Sequence, residues 1–402
     1  MREMKKLGEL GDVFIGLTYK PEDVVDEDGT IVLRSSNIQD GKLDFGDIVR
    51  VSCNIRDKLW VKENDILMCS RNGSAKLVGK TALISNLQED MTFGAFMTII
   101  RTPYNGYLQY FFKSPMFRRQ LNSSATTTIN QITRSMLDNI DVPVFDNDTA
   151  DNIKAILGKC EKIIQERKVE INALDDLIKA RFVEMFGSPF DTTKWTVKEL
   201  KDVSESMVDG SNVNPDYYEA KGEVLFLRIQ NVWRNEFRLD DSVYITQEIN
   251  QKYYYDTSLR TGDLLITKIG RYYTKDSSLG RVSVYRGEDD CANYSNNIMR
   301  VRLNNSMNSE FVNALLNLDD YQSFIKRTSK GGTDKRALSK SLIGSYPIII
   351  PPRALQDEFV SFVEQVDKSK VMVHKMLDET QTLFDSLIQE YFGYEYIGVM
   401  MH

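Results

Sequence analysis

The chain writes nearly the same pattern twice, and that repetition limits its possible folds more than any other feature. Leu33-Arg34-Ser35-Ser36-Asn37-Ile38 returns as Leu227-Arg228-Ile229-Gln230-Asn231-Val232. Asn64-Asp65-Ile66-Leu67 returns as Gly262-Asp263-Leu264-Leu265, and a basic, glycine-containing stretch follows each. A long helical pattern closing in Phe186-Gly187 returns as one closing in Phe392-Gly393. The offset is 194 at the first pair, 198 at the second and 206 at the Phe-Gly ends. Loop insertions in a duplicated unit produce such gradual drift, whereas chance matches would scatter. Two similar halves suit a target that has two similar halves itself, and a DNA duplex is one.

At 402 residues the chain fits two or three domains rather than one. Hydrophobic and charged fractions of 42% and 27% are those of an ordinary globular protein, so composition leaves that class open. No apolar run reaches the roughly 18–20 residues that span a bilayer. The stretch Met1–Leu10 lacks the apolar core of a signal peptide. Cys53, Cys69, Cys160 and Cys291 are widely spaced and show no metal-binding pattern. Reduced thiols, a cytoplasmic location and no membrane association are the expectation.

A net charge of −7 argues against a polyanionic partner until it is divided by region. Residues 1–146 hold 18 basic and 19 acidic side chains, while 351–402 hold 4 and 9, so the bodies are near neutral and the tail is acidic. Local asymmetry decides whether a surface can face phosphates. No acid occurs from Thr92 to Leu137, against Arg101, Lys113, Arg118, Arg119 and Arg134. Between Lys326 and Lys340 there are six bases and one acid, Asp334. Either run alone reads equally well as a solvated face; their recurrence favours a binding surface.

Residues 1–146 and 190–350 both read as strand-rich α/β. Met97–Arg101, Val282–Tyr285 and Ile298–Leu303 are β-prone, with turn clusters such as 26–29 between such runs. Each body closes on an apolar, proline-containing segment, 140–145 and 346–352, where proline should break the ladder before a helix. Asp148 and Thr149 are candidate N-caps for the first helix, and Gly187 a candidate C-terminal stop.

Both helices carry apolar residues at alternating spacings of four and three. In the first the seam is Ile153, Leu157, Cys160, Ile164, Ile171, Leu174 and Ile178; in the second it is Phe359, Phe362, Val366, Val373, Met376, Leu383 and Leu387. Sustained over several heptads, this predicts a coiled coil. Helices of about 37 residues would be about 55 Å long, more than either body. The expected fold is therefore α/β, with two similar, strand-rich mixed α/β domains separated by two long helices forming an antiparallel coiled coil. Ile156, Ile163, Leu177, Phe182, Val363 and Phe384 lie outside the seam and predict a further face for a partner protein.

Three loops per half carry candidate DNA contacts. One holds Arg71, Asn72, Ser74 and Lys76, matched by Lys268, Arg271 and Tyr272. A second holds Thr127, Asn130 and Gln131, matched by Lys330, Thr333, Lys335 and Arg336. A third holds Arg34, Ser35 and Asn37, matched by Arg228, Gln230 and Asn231. Such side chains can contact phosphates, and Arg, Lys, Asn and Gln can also read base edges in the major groove. A single polar loop is weak evidence, but paired recurrence with different side chains is what two readers of different sequences require.

Catalytic signatures are poorly represented. Asn214-Pro215-Asp216-Tyr217 departs from the adenine-methyltransferase turn at its third residue, and Pro215-Asp216 with Glu219-Ala220-Lys221 is too compact for a nuclease core. Only two histidines occur, His374 and His402, so histidine triads and zinc sites are not supported. A phosphate-binding Gly-x-x-x-x-Gly-Lys-Ser/Thr loop is missing. The expectation is no catalytic residue, no metal and no cofactor.

Taken together, the tandem Leu-Arg-x-x-Asn and Asp-Ile/Leu-Leu repeats, the Val-Pro-Val and Tyr-Pro-Ile-Ile-Ile-Pro-Pro segments and the Phe-Gly helix ends resemble the specificity subunit of type I restriction–modification systems over nearly the whole chain. Pro351–Glu358 is similar to that family's Pro-x-Leu-x-Glu-Gln helix start with residues reordered, whereas Val144–Asp148 lacks the second proline and the Glu-Gln pair. The resemblance implies two target-recognition domains, 1–147 and 189–352, with coiled-coil helices at 148–188 and 353–402. It implies a non-catalytic subunit that reads a bipartite, asymmetric double-stranded DNA site. Its implied partners are two methyltransferase subunits and restriction/translocase subunits, which carry the enzymatic activity. The residues alone leave two alternatives, a self-sufficient DNA-binding regulator and a coiled-coil scaffold joining two proteins.

Overall fold

The computed structural model describes residues 3–123, 131–190, 193–274, 277–332 and 334–393. The chain divides into two compact units, Met1–Lys168 with His374–His402, and Val169–Val373. Both divisions fall inside long helices, so each unit owns one end of each helix.

In the first unit an antiparallel sheet has the order Asp12–Ile15, Met97–Arg101, Ile66–Cys69, Thr81–Leu83. Ile66–Cys69 is buried at every position, which explains its unbroken apolar run. A second sheet, Met91–Phe93, Thr30–Leu33, Arg50–Val51, Val24–Val25, includes one parallel pair. Leu33, Phe93, Leu67 and Ile99 share one apolar cluster with residues of both sheets. On the other side Tyr107, Phe111, Phe117 and Leu137, from short helices, share a second cluster with Ile66 and Ile100.

The second unit repeats this plan. Its antiparallel sheet runs Ser204–Asp209, Ile298–Leu303, Leu264–Thr267, Val282–Val284. A three-stranded sheet of Val243–Ile245, Val224–Leu227 and Ala292–Tyr294 again contains one parallel pair. An added ribbon orders Ile269–Arg271, Lys335–Ala337 and Lys330–Gly331.

The repeat reaches individual contacts. Asp65, buried, takes a two-pronged bond from Arg101 (2.7 and 2.6 Å), and Asp263 takes the same from Arg302 (2.7 and 2.7 Å). Each carboxylate also accepts a backbone N–H three residues upstream, from Lys62 and Arg260. Gly16 and Gly210 stand where an added Cβ would lie 2.2 Å from a carbonyl oxygen, of Gly94 and of Ser295. Tyr107 donates to the carbonyl of Pro143 at 3.1 Å and Tyr321 to that of Pro347 at 2.8 Å. Burial pushes the Tyr107 hydroxyl up to about 12 and drives that of Tyr321 upward as well, so both stay protonated donors.

Pro351 and Pro352 stand between the strand end at Ile350 and the helix start at Arg353, as expected, but Pro143 and Pro347 do not end their ladders. Pro143 lies inside the ribbon Glu3–Lys6/Asp141–Val144, and Pro347 opens the strand that pairs with Thr196–Glu199. Two-stranded ribbons leave every strand an edge, where a missing N–H is tolerated.

The long helices span Asn147–Phe186 and Arg353–Phe392, 40 residues each. Asp146, rather than Asp148 or Thr149, caps the first by accepting from Thr149 N at 2.8 Å and Thr149 Oγ1 at 2.9 Å, which holds its carboxyl below the usual range. Gly187 closes that helix at φ +81, donating to Val183 O at 2.8 Å. Within the first unit Ile153, Leu157 and Cys160 share a cluster with Phe384, Ile388 and Phe392. Within the second, Phe182 and Phe186 cluster with Phe359 and Val360, and Lys370 meets Asp175 at 2.5 Å. In each unit the start of one helix meets the end of the other, so the pairing is antiparallel.

The seam differs from the heptad reading at one point. Val366 and Val373 are buried, and Ile164, Ile171, Leu174, Ile178, Phe362, Met376 and Leu387 are half-buried. Leu383 is 53% exposed, while Phe384 and Ile388 hold the buried positions. The helix end packs on the body's aromatic core as well as on its neighbour, with Phe384 edge-on to Tyr110 and Phe392 edge-on to Phe111. A globular contact follows the 3.6 period and buries a wider face than a seam. For the same reason Phe182 and Phe384, expected on a spare outer face, are core residues; Ile156 and Leu177 stay exposed. Among the described residues no helix is long and apolar enough to cross a membrane.

Candidate nucleic-acid interface

In the first unit the fully buried strand Ile66–Cys69 carries the polar loop at its end. Ser70 N and Arg71 N both donate to Phe96 O (2.9 and 3.1 Å), Ile132 N donates to Ser70 O at 2.7 Å, and Arg71 bridges Gln131. The Arg71 guanidinium lies 5.3 Å from the centre of the exposed Phe96 ring. Asn72 Nδ2 donates to Ser35 Oγ at 3.2 Å, tying this loop to the 35–37 turn, and Asn72 Oδ1 accepts from Ser74 N. Three separate segments thus place Ser35, Arg71, Asn72 and Gln131 together. Ser74 and Lys76 are exposed in the same loop. Thr127 and Asn130 lie outside the described residues.

The second unit makes a broader platform. Its ribbon sets Arg271 opposite Lys335 and Gly270 opposite Arg336. Like charges face to face repel. Asp334 lies 3.8 Å from Arg271, and the Arg336 guanidinium stacks 3.7 Å from the Tyr272 ring centre, so the cluster is partly compensated. Gly270 is required here, because a Cβ would meet Leu279 N at 2.2 Å. Lys330 is exposed on the outer strand, and Thr333 lies outside the described residues. Lys268 is tied to Asp209 at 2.6 Å and is largely covered. Gln230, Arg271 and Lys335, from three segments, line one open cavity of about 570 Å³ together with Trp233, Ile269 and Arg281.

Four of the paired candidates act inside their own loops. Asn37 and Asn231 are buried. Asn37 accepts from Arg34 N and donates to Asp44 O and Asp47 O, each at 2.8–2.9 Å. Asn231 accepts from Arg228 N at 2.9 Å and donates to Arg238 O and Asp241 Oδ1. Arg34 pairs with Asp47 at 2.7 Å, and Arg228 bonds both the backbone and the carboxylate of Asp241. These side chains hold the turn shut, which leaves the residues around them to face outward.

In the acid-free stretch of the first half, four of the five cations named from the sequence are engaged within the unit. Arg101 is locked on Asp65, Lys113 on Glu161 at 2.5 Å and Arg134 beside Asp138 at 3.4 Å. Arg118 donates to Val78 O at 2.7 Å, and burial pulls its guanidinium below its ordinary value. Two of the acids, Asp65 and Glu161, come from distant segments, which one-dimensional counting does not register.

The loop reading passed over Trp233, whose ring lies between the guanidinium groups of Arg238 (3.5 Å) and Arg281 (3.6 Å). A tryptophan two residues beyond Asn231, where the first half has Gln39, was a usable signal. Arg281 arrives from a different strand region, so no local pattern announces it. Among the described residues no group of three or more His, Cys, Asp or Glu side chains could hold a metal.

Residues 192–380 match the family model of the type I restriction modification DNA specificity domain. The chain is 23% identical over 402 residues to the type I restriction enzyme StySPI specificity subunit of Salmonella potsdam, covering 93% of this chain and 84% of that one. It is 24% identical over 416 residues to the EcoKI specificity subunit of Escherichia coli (strain K12), covering 94% and 85%. Among solved structures, the type I restriction-modification S subunit from M. genitalium superposes with a TM-score of 0.53 at 14% identity, covering 98% of this chain and 97% of that one. That likeness concerns the fold.

Proposed function

We propose that this chain, whose residues 192–380 match the specificity-domain model, is the non-catalytic, sequence-specific DNA-recognition subunit of a type I restriction–modification complex. One observation carries the reading at the level of the site: two units with one scaffold each gather polar side chains from three segments, and the side chains differ. Ser35, Arg71, Asn72 and Gln131 would serve one half-site; Gln230, Arg271, Tyr272, Lys330, Lys335 and Arg336 would serve the other. Arginine and lysine suit guanine and phosphate, asparagine and glutamine suit adenine, and a site read by two unlike sets is asymmetric and bipartite.

The partners in this reading are methyltransferase subunits, two per complex, and restriction/translocase subunits, which supply the chemistry in the cytoplasm. The near-neutral bodies imply that DNA binding is weak without them. Selection from a randomised duplex pool tests this, with the chain alone and with its methyltransferase partner. A split site enriched only by the complex is the expected result. Tight, specific enrichment by the chain alone would make it a self-sufficient regulator, and a stable complex that enriches nothing would make it a scaffold.

A further inference from the structure

The loop that carries Gln230 is unusually well braced for an exposed segment. Val232 bridges Phe237, Trp233 N donates to Glu236 O at 3.0 Å, and Arg238 N donates to Asn231 O at 2.9 Å. Trp233 Nε1 donates to the carbonyl of Gln230 itself at 2.9 Å. The indole cannot tilt freely, because Arg238 covers one face and Arg281 the other. Arg281 is buried and donates through Nε to Ser277 O at 2.9 Å. The Gln230 backbone is thereby anchored to the core of the unit.

Its side chain is oriented too. Gln230 Nε2 donates to Asp241 Oδ2 at 3.2 Å, and the same carboxylate is fixed by Arg228 and Asn231. That bond settles which end of the amide is nitrogen. It uses one of two N–H groups and leaves the other, with the oxygen, available on a residue that lines the cavity. One acceptor beside one donor matches the N6 amino group and N7 of adenine, whereas guanine offers two acceptors on that edge.

We infer that Gln230 is a specificity-determining reader of an adenine in the half-site bound by the second unit, positioned by Asp241 and Trp233. The inference rests on the DNA-recognition reading and names one base contact within it. The device belongs to one unit only. Arg34 and Asp47 reproduce the Arg228–Asp241 pair, but Ser36 stands where the second unit has Gln230, and Gln39 where it has Trp233.

The test is sequencing of sites selected from a randomised duplex pool by the complex with its methyltransferase partner, comparing wild type, Gln230→Ser and Trp233→Phe. Gln230 is exposed, so its substitution leaves folding intact. Trp233→Phe keeps one ring between the two guanidinium groups and removes the N–H that holds Gln230, together with part of the stacked surface. Gln230→Ser is expected to lower the preference for adenine at one position of the second half-site by roughly 10- to 100-fold. The first half-site and the spacer stay as they were. Trp233→Phe should relax the same position less, with the letters of the first half-site unchanged as the control for folding. Unaltered stringency at every position in Gln230→Ser overturns the inference, and unaltered stringency in Trp233→Phe alone removes the positioning role. A wild-type complex that selects no split site refutes the DNA-recognition reading itself, a result distinct from either.

Discussion

Asp65 and Asp263 hold equivalent stations, each buried, each gripped by an arginine from the neighbouring strand and by a backbone N–H. A buried carboxylate stripped of its partner costs about 3–5 kcal/mol, far more than the net worth of the pair. Arg302→Met should destabilise the second unit by about 3 kcal/mol, and Asp263→Leu added to it should recover much of that loss; residue-resolved hydrogen exchange separates this from the first unit. Asn37→Ala and Asn231→Ala should cost about 1–3 kcal/mol, because each leaves a backbone N–H or carbonyl unsatisfied. Since both are buried, the letters of the selected half-site should survive in any variant that still folds. Arg271→Ala and Lys335→Ala should behave differently. Stability holds, while affinity of the complex falls and the slope of log affinity against log salt drops by about 1 for each phosphate no longer neutralised.

At the scale of elements, the long helices serve two kinds of packing. The seam residues follow heptad spacing in the middle, and the ends turn a wider face to the bodies, where Phe384 and Phe182 sit in aromatic clusters. Phe384→Ala should therefore cost about 3–5 kcal/mol and Leu383→Ala under about 0.5, measured by denaturation. The reverse order would restore the uninterrupted heptad seam. Both helices pass from one unit to the other, so their length is a candidate measure of the DNA spacer. Removing seven residues from each shortens the helices by about 10 Å, roughly three base pairs at 3.4 Å per step. Site selection with such paired deletions should return a spacer shorter by about three base pairs and the same half-site letters. An unchanged spacer would end the ruler idea. The period that identifies these helices was plain in the residues. The departure at Leu383 was not, because it depends on aromatic rings from 104–117 and 145, which no heptad count contains.

For the whole molecule, duplication is the organising fact, and it was legible from three short motifs. Repeated sequence means repeated local energetics. The same apolar strand after the same acidic turn folds the same way, so two α/β units and two long helices follow from the residues alone. The seam and the strands were legible for a related reason: periodicity is a property of neighbours in the chain. Which charged residues remain open to a partner was decided elsewhere. Arg101, Lys113, Arg118 and Arg134 look like a basic surface in the sequence and are paired or covered in the fold. Conversely, Gln230, Arg271 and Lys335 are scattered over more than 100 positions and line one cavity. Burial and electrostatic pairing act through space, between residues that only the tertiary structure brings within a few ångströms. Local pattern therefore determined the architecture of this chain, and long-range packing determined which of its polar side chains are held inside their loops and which are left open at the loop surface.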